Sequence, residues 1–182
     1  MVLDFIEFAK KRHSTYEFSK KPVSDVNLKL ILEAARWSPS FWNMQPWRFI
    51  VVKAPETINL LTNLSGFGAF HNNPNVLIVL VVDRAVNEDG KYFGQVGEMV
   101  KNHKYMCISM PALNLCYEAE ALGINSCLLS PPPDGANKLL GVPQGHEAVL
   151  IVGLGYEKPN YKPKQSERKS FNQIVNYERF VL

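Results

Sequence analysis

Two periods of apolar residues alternate along the chain, one helical and one extended. Phe5 and Phe8 share a face of a short helix predicted over residues 3–12, whose end is basic. Beyond "KKPVSD", Ser24 is placed to cap a second helix in which Val26, Leu30, Ile31, Ala34 and Ala35 recur at helical spacing. Pro39 stops that helix, because the residue before a proline is pushed out of the α region. The β-branched run "WRFIVVK" (47–53) reads as a buried strand opening just after Pro46. "PETINLLTNL" reads as a small helix, and the unbroken apolar run "NVLIVLVVD" (75–83) as a strand covered on both faces.

Residues 84–104 are polar and predict a loop followed by a helix. Over 105–122, Met106, Met110, Leu113 and Tyr117 stand four, three and four apart, which predicts a core-facing helical stripe. Pro111 within it predicts either a kink or a helix start near Ser109. "INSCLLS" and "EAVLIVGLGY" predict two more strands, with a short helix over 134–140 between them. After Tyr156 the chain is polar and proline-punctuated, then regains apolar alternation in "FNQIVNYERFVL". That closing stretch resembles an arm more than a core element, and such an arm predicts a homodimer across which it lies. Neither repeats nor a linker divide the chain, so residues 1–182 read as a single domain.

Composition narrows the function classes. At 46% hydrophobic and 20% charged residues, the 182-residue chain has the make-up of a folded domain with a real core. Its 20 Lys+Arg against 17 Asp+Glu leave +3, too little to argue for nucleic acid but suited to an anionic small ligand. Cys107, Cys116 and Cys127 are odd in number and lack C-x-x-C spacing. They read as buried small hydrophobes in a reducing compartment, not as a disulfide framework or a zinc site. The four histidines are scattered and form no metal-ligand pattern. Asp4 and Glu7 interrupt the apolar N-terminus, which argues against a signal peptide, and nothing reaches the roughly 18 apolar residues of a membrane span. The expectation is a cytoplasmic protein without a membrane or nucleic-acid partner.

Motifs for phosphate-binding loops, nucleophile elbows and helical zinc sites are absent from the sequence. "GLGYEKP" (153–159) follows a strand and begins G-x-G, but it lacks the third glycine and Pro159 interrupts any receiving helix. Three polar clusters remain. "KRHSTYEF" (11–18) offers Arg12, His13 and Ser14 at a helix end, either as a solvated basic terminus or as ligand groups. "SPSFWNMQPW" (38–47) carries Asn43 and Gln45, whose amides suit the mixed edge of a heteroaromatic ring or tie down a tight helix-to-strand connection. "SERKS" (166–170) places Arg168 and Lys169 where they hold a phosphate or simply face solvent.

Taken together the clusters resemble the nitroreductase family of FMN-dependent oxidoreductases. The family's pattern opens with R-x-S-x-[RK], passes through a second helix, and carries [AS]-P-S-x-x-N-x-Q-P-W into a strand. Here these read "RHSTY" (12–16), "LILEAARWSPS" and "SPSFWNMQPWRFIVV". The likeness continues through "LNLCYEAEALGINSCLL", "LLGVP…AVLIVGLGY" and the "RK" before "FNQIV", and is weakest over 54–105.

The resemblance implies an α+β fold, a nitroreductase-like central mixed sheet flanked by helices, in an intertwined homodimer with FMN at the interface. It implies that Arg12 and Arg168, with Lys169 beside it, meet the FMN phosphate. His13 and Ser14 contact the phosphate, the ribityl chain or the ring edge. Pro39, Ser40, Phe41 and Asn43 come from the other subunit, and Gln45 either contacts the flavin or braces the loop. The implied reaction moves a hydride from NADH or NADPH through flavin N5 to a small aromatic acceptor, a nitroaromatic or a quinone, in two alternating half-reactions. A non-catalytic FMN-binding or flavin-sequestering protein is the alternative.

Three departures bear on that chemistry. Tyr16 stands where relatives carry Arg or Lys, replacing a fixed charge by a neutral phenol. Where relatives have a G-G or E-G step beside flavin N5, this chain has Leu129-Ser130-Pro131; Ser130 can donate, whereas Pro131 has no N–H. Phe41 and Trp42 precede Asn43 where small residues are usual, so they line the substrate side as a narrowed or stacking wall.

Overall fold

The structure, a computed structural model, describes residues 4–65, 73–84, 97–163 and 166–180, with the side chains of 97–102 left aside. The elements run α1 (Phe5–Lys11), α2 (Asp25–Arg36), β1 (Trp47–Val52), α3 (Pro55–Leu64), β2 (Val76–Asp83), α4 (Gly97–Ala121), β3 (Asn125–Leu129), α5 (Pro133–Leu140), β4 (His146–Gly155) and α6 (Phe171–Ile174). The start of each helix has a local cause. Asp4 accepts from the N–H groups of Ile6 and Glu7 at α1, Ser24 accepts from Asn27 at α2, and Pro55 presets the first turn of α3.

The four strands lie in the order β1-β2-β4-β3. Among the described residues all three pairings are antiparallel, and the parallel component of the expected mixed sheet is one bridge, Ser14 to Ser126. Every residue of β2 is buried, as its unbroken apolar run predicts. Its even-numbered residues Ile78, Leu80 and Val82 pack with α2 and α4, through Ile31, Ala35, Ala112 and Leu115. Its odd-numbered residues Leu77, Val79 and Val81 pack on the other face against Ile58 and Leu61 of α3 and Ala136 of α5. A period-2 strand between two helical layers thus gives an α+β sandwich with a core on each side.

Two expectations are corrected. β1 is an edge strand with β2 as its one partner among the described residues, so Arg48 and Val51 are exposed rather than buried. The stripe that α4 turns inward is Ile108, Ala112, Leu115 and Ala119, together with Cys107 and Cys116. Met106 and Leu113 are 55% and 50% exposed. Both stripes have helical spacing. The inner one wins because its small residues let the helix lie close against the sheet and α2. α4 also runs continuously through Pro111 from Gly97, so no helix starts near Ser109. Residues 85–96, the first part of the stretch expected to be a loop, lie outside the described residues.

Candidate functional site

Five of the predicted residues meet in one cleft of about 940 Å³: Arg12, His13, Ser14, Tyr16 and Arg168. The sheet places the first four. Ser14 bridges to Ser126 of β3, and the Thr15 N–H donates to the Ser126 carbonyl at 3.1 Å. Tyr161, beyond β4, spans the segment: its hydroxyl accepts from the Tyr16 N–H at 3.3 Å and donates to the Ser14 carbonyl at 3.4 Å. The far wall is apolar, formed by Phe5 and Ile6 of α1 and by Tyr117 of α4. Phe5 and Phe8 both rest on the Tyr117 ring, at 5.4 and 5.8 Å between centroids, which fixes α1 across the cleft.

Arg12 and Arg168 have no carboxylate partner among the described residues. Two guanidiniums on one cleft without an internal counter-ion form a strong attractor for a dianion. Lys169 is exposed and lies outside the lining. His13 is more committed than its place in the motif implies. Nδ1 faces the Lys11 carbonyl at 3.0 Å, and Nε2 faces Glu157 Oε2 at 3.1 Å. Glu157 is itself held by Asn125, whose side-chain oxygen accepts from the Glu157 N–H at 3.0 Å. His13 therefore anchors the end of α1 to the strand system as well as lining the cleft.

Behind Ser14 and Arg12 lie two buried free thiols, Cys116 and Cys127. Burial pushes the Cys127 thiol up to about 11, against the opposing pull of the Ser14 hydroxyl and the Arg12 charge. Cys116 is raised for the same first reason. Because the folded chain holds the Cys127 proton more tightly than the unfolded one, the resulting stability is complete below pH ~9 and declines as pH climbs toward ~11. In denaturant titrations, wild type is expected to lose on the order of 2 kcal/mol more over that window than Cys127→Ala. Equal losses in both proteins contradict this placement of the thiol.

The second predicted wall, Pro39 to Gln45, lies elsewhere in the chain. A 3-10 turn over Phe41–Asn43 links α2 to β1, and its Phe41 N–H donates to Cys107 Sγ at 3.4 Å. The Phe41 ring stacks on His103 at 4.1 Å with planes 6° apart, and Trp42 stands 6.1 Å from the same imidazole. Asn114 fixes the loop's start by donating to Ser38 Oγ at 2.8 Å. Gln45 is tied into the loop: its side chain donates to Asn43 Oδ1 at 2.9 Å.

Cys107, which holds this loop, and Tyr117, which lines the cleft, are ten residues apart on α4. At 1.5 Å per residue that is about 15 Å along the helix. None of Pro39, Ser40, Phe41, Trp42, Asn43 or Gln45 lines the cleft of their own chain. Ser130 does not line it either: it is exposed just beyond β3, roughly 13 Å along the strand from Ser126 at about 3.3 Å per residue. His103, Cys107, Asn114, Glu157 and Tyr161 were missed from sequence, because each acts through a contact made only in the folded chain.

Comparison with known proteins supplies the family. The model of the nitroreductase family matches residues 9–66, the span holding both the Arg12 and Asn43 motifs. A NADH dehydrogenase of Thermus thermophilus is 30% identical over 96% of this chain and 96% of its own. A nitroreductase family protein of Clostridium difficile 630 superposes with a TM-score of 0.79 at 26% identity, over 98% of this chain and all of the other. An FMN-dependent nitroreductase of Clostridium difficile R20291 shares the fold at a TM-score of 0.77 and 24% identity, over 96% of this chain and 99% of that one. With a relative 30% identical over nearly all of both chains and a family model matching residues 9–66, this chain belongs to the nitroreductase family.

Proposed function

We propose that the chain is an FMN-dependent NAD(P)H oxidoreductase whose two cofactor sites form between the subunits of a homodimer. The observation that carries the reading is the pair of guanidiniums, Arg12 and Arg168, facing one cleft beside Ser14 without an acidic partner among the described residues. That donor set fits a phosphate monoester: Arg12 and Arg168 hold its oxygens, Lys169 adds charge nearby, and His13 and Ser14 border the phosphate and the chain that follows. Tyr16 supplies a neutral phenol along the cofactor, and Ser130 a hydroxyl toward its reactive edge. When bound, FMN supplies the redox chemistry, taking a hydride from NADH or NADPH and passing it to a small nitroaromatic or quinone acceptor in alternating half-reactions.

Dimerisation supplies the missing wall. Met106 and Leu113 on α4, and Phe171, Ile174, Tyr177 and Phe180 in the closing arm, are each at least half exposed. An apolar outer face on a central helix, with an arm of exposed aromatics, suits burial against a second copy. In that assembly Pro39, Ser40, Phe41 and Asn43 reach the partner's cleft, while Phe41 and Trp42 border the acceptor. The three buried free thiols suit a reducing, cytoplasmic setting.

Tyr16 and Pro131 favour a second reading, an FMN-binding protein without turnover, since a cation and an N–H are missing where relatives supply them. Anaerobic addition of NADH or NADPH to the purified protein separates the two. A yellow protein that bleaches, then regains colour with a quinone or nitroarene, supports the oxidoreductase. Colour that persists with both nucleotides supports the binder. A colourless protein that FMN does not reconstitute contradicts both.

A further inference from the structure

The turn at residues 40–45 carries a chain of hydrogen bonds whose direction is determined. Trp42, Asn43 and Gln45 have φ of 45°, 56° and 47°, a left-handed backbone that non-glycine residues seldom adopt. Such a backbone persists where its surroundings over-determine it. Gln45 does much of the holding. Its N–H donates to Ser40 Oγ at 2.9 Å, and its side-chain nitrogen donates to the Asn43 carbonyl at 3.2 Å and to Asn43 Oδ1 at 2.9 Å.

The backbone carbonyl of Asn43 only accepts, so the Gln45 side-chain atom facing it is the nitrogen. That nitrogen only donates, so the Asn43 side-chain atom facing it is the oxygen. Asn43 is left with both N–H groups of Nδ2 turned away from Gln45. Ser40 Oγ accepts from the Gln45 N–H in the same way, and its own hydrogen remains available to donate outward.

We propose that Gln45 is a positioning residue that turns the Asn43 Nδ2 donors outward beside the Ser40 hydroxyl, so that this edge favours hydrogen-bond acceptors on the ligand. This rests on the flavin reading above and deepens it: Gln45 acts on the cofactor through Asn43, not by touching it. N1 and the two carbonyl oxygens of an isoalloxazine are acceptors, while N3 carries an N–H, and reduction adds negative charge over N1 and the neighbouring carbonyl oxygen. Donors facing those acceptor atoms therefore hold the reduced ring more tightly and raise the bound potential.

The test is a double-mutant cycle on reconstituted apoprotein, read as FMN affinity and midpoint potential. Gln45→Met is expected to weaken FMN binding about three- to tenfold and to lower the potential. Asn43→Ala is expected to lose at least as much, and the double variant no more than Asn43→Ala alone. Additive losses, or a Gln45→Met protein with unchanged affinity and potential, overturn the proposal. A second measurement needs no cofactor. In the apoprotein, side-chain amide protons of Gln45 should exchange with solvent more slowly than those of Asn43, and the reverse order overturns the assignment. Wild-type apoprotein that takes up no FMN overturns the flavin reading itself, while the exchange order still decides the orientation of the two amides.

Discussion

Replacing Arg12 with alanine is expected to weaken FMN binding by roughly 1.5–3 kcal/mol, the scale of a hydrogen bond to a charged group. Three observations support so large an effect for one side chain. Arg12 is half-buried at the end of α1, so its charge is incompletely screened by water. It has no carboxylate to share it with among the described residues. Its segment is held by the Ser14–Ser126 bridge and by the His13–Glu157 contact, so little ordering remains to be done on binding. Arg168 is exposed, which puts Arg168→Ala at the lower end of the same range. Fluorescence titration of apoprotein with FMN measures both; unchanged affinity in both variants contradicts the phosphate placement.

A substitution away from the ligand is expected to be nearly as costly. A Cβ at Gly155 would stand 2.7 Å from Phe18 Cδ1 and 2.8 Å from Asn75 Oδ1. Phe18 is 2% exposed, and Gly155 is paired with Asn125 across the sheet. Gly155→Ala should therefore destabilise the fold by about 1–3 kcal/mol through overpacking. The strain falls next to Glu157, which bridges to Phe18 and contacts His13, so FMN affinity should decline alongside stability. Urea unfolding gives the first quantity. A variant as stable as wild type contradicts the close packing of Phe18 on this glycine.

What was legible in the sequence divides by the range of the interaction involved. β2 announced itself because a strand buried on both faces needs an apolar residue at every position. Ser24 marked the start of its helix because capping is settled within a few residues. The inward face of α4 was not legible, since Met106–Leu113 and Ile108–Leu115 repeat with the same period. Only the packing of small residues against the sheet distinguishes them. The motif residues at the cleft could be named in advance, yet the separation of Asn43 from Arg12 depends on where α4 carries each wall. The stacking of Phe41 on His103, and the anchoring of His13 by Glu157, join residues far apart in the chain and leave no local pattern.

The central claim is that each site takes Arg12 from one subunit and Asn43 from the other. Mixed dimers test it most directly. Arg12→Ala and Asn43→Ala chains, each weak in FMN binding alone, are unfolded together, refolded, and separated by distinct affinity tags to isolate the heterodimer. If the two residues serve a site from opposite chains, the heterodimer holds one site with both defects and one with neither. The account predicts one FMN per heterodimer bound with wild-type affinity. Binding no tighter than either parent homodimer would contradict it.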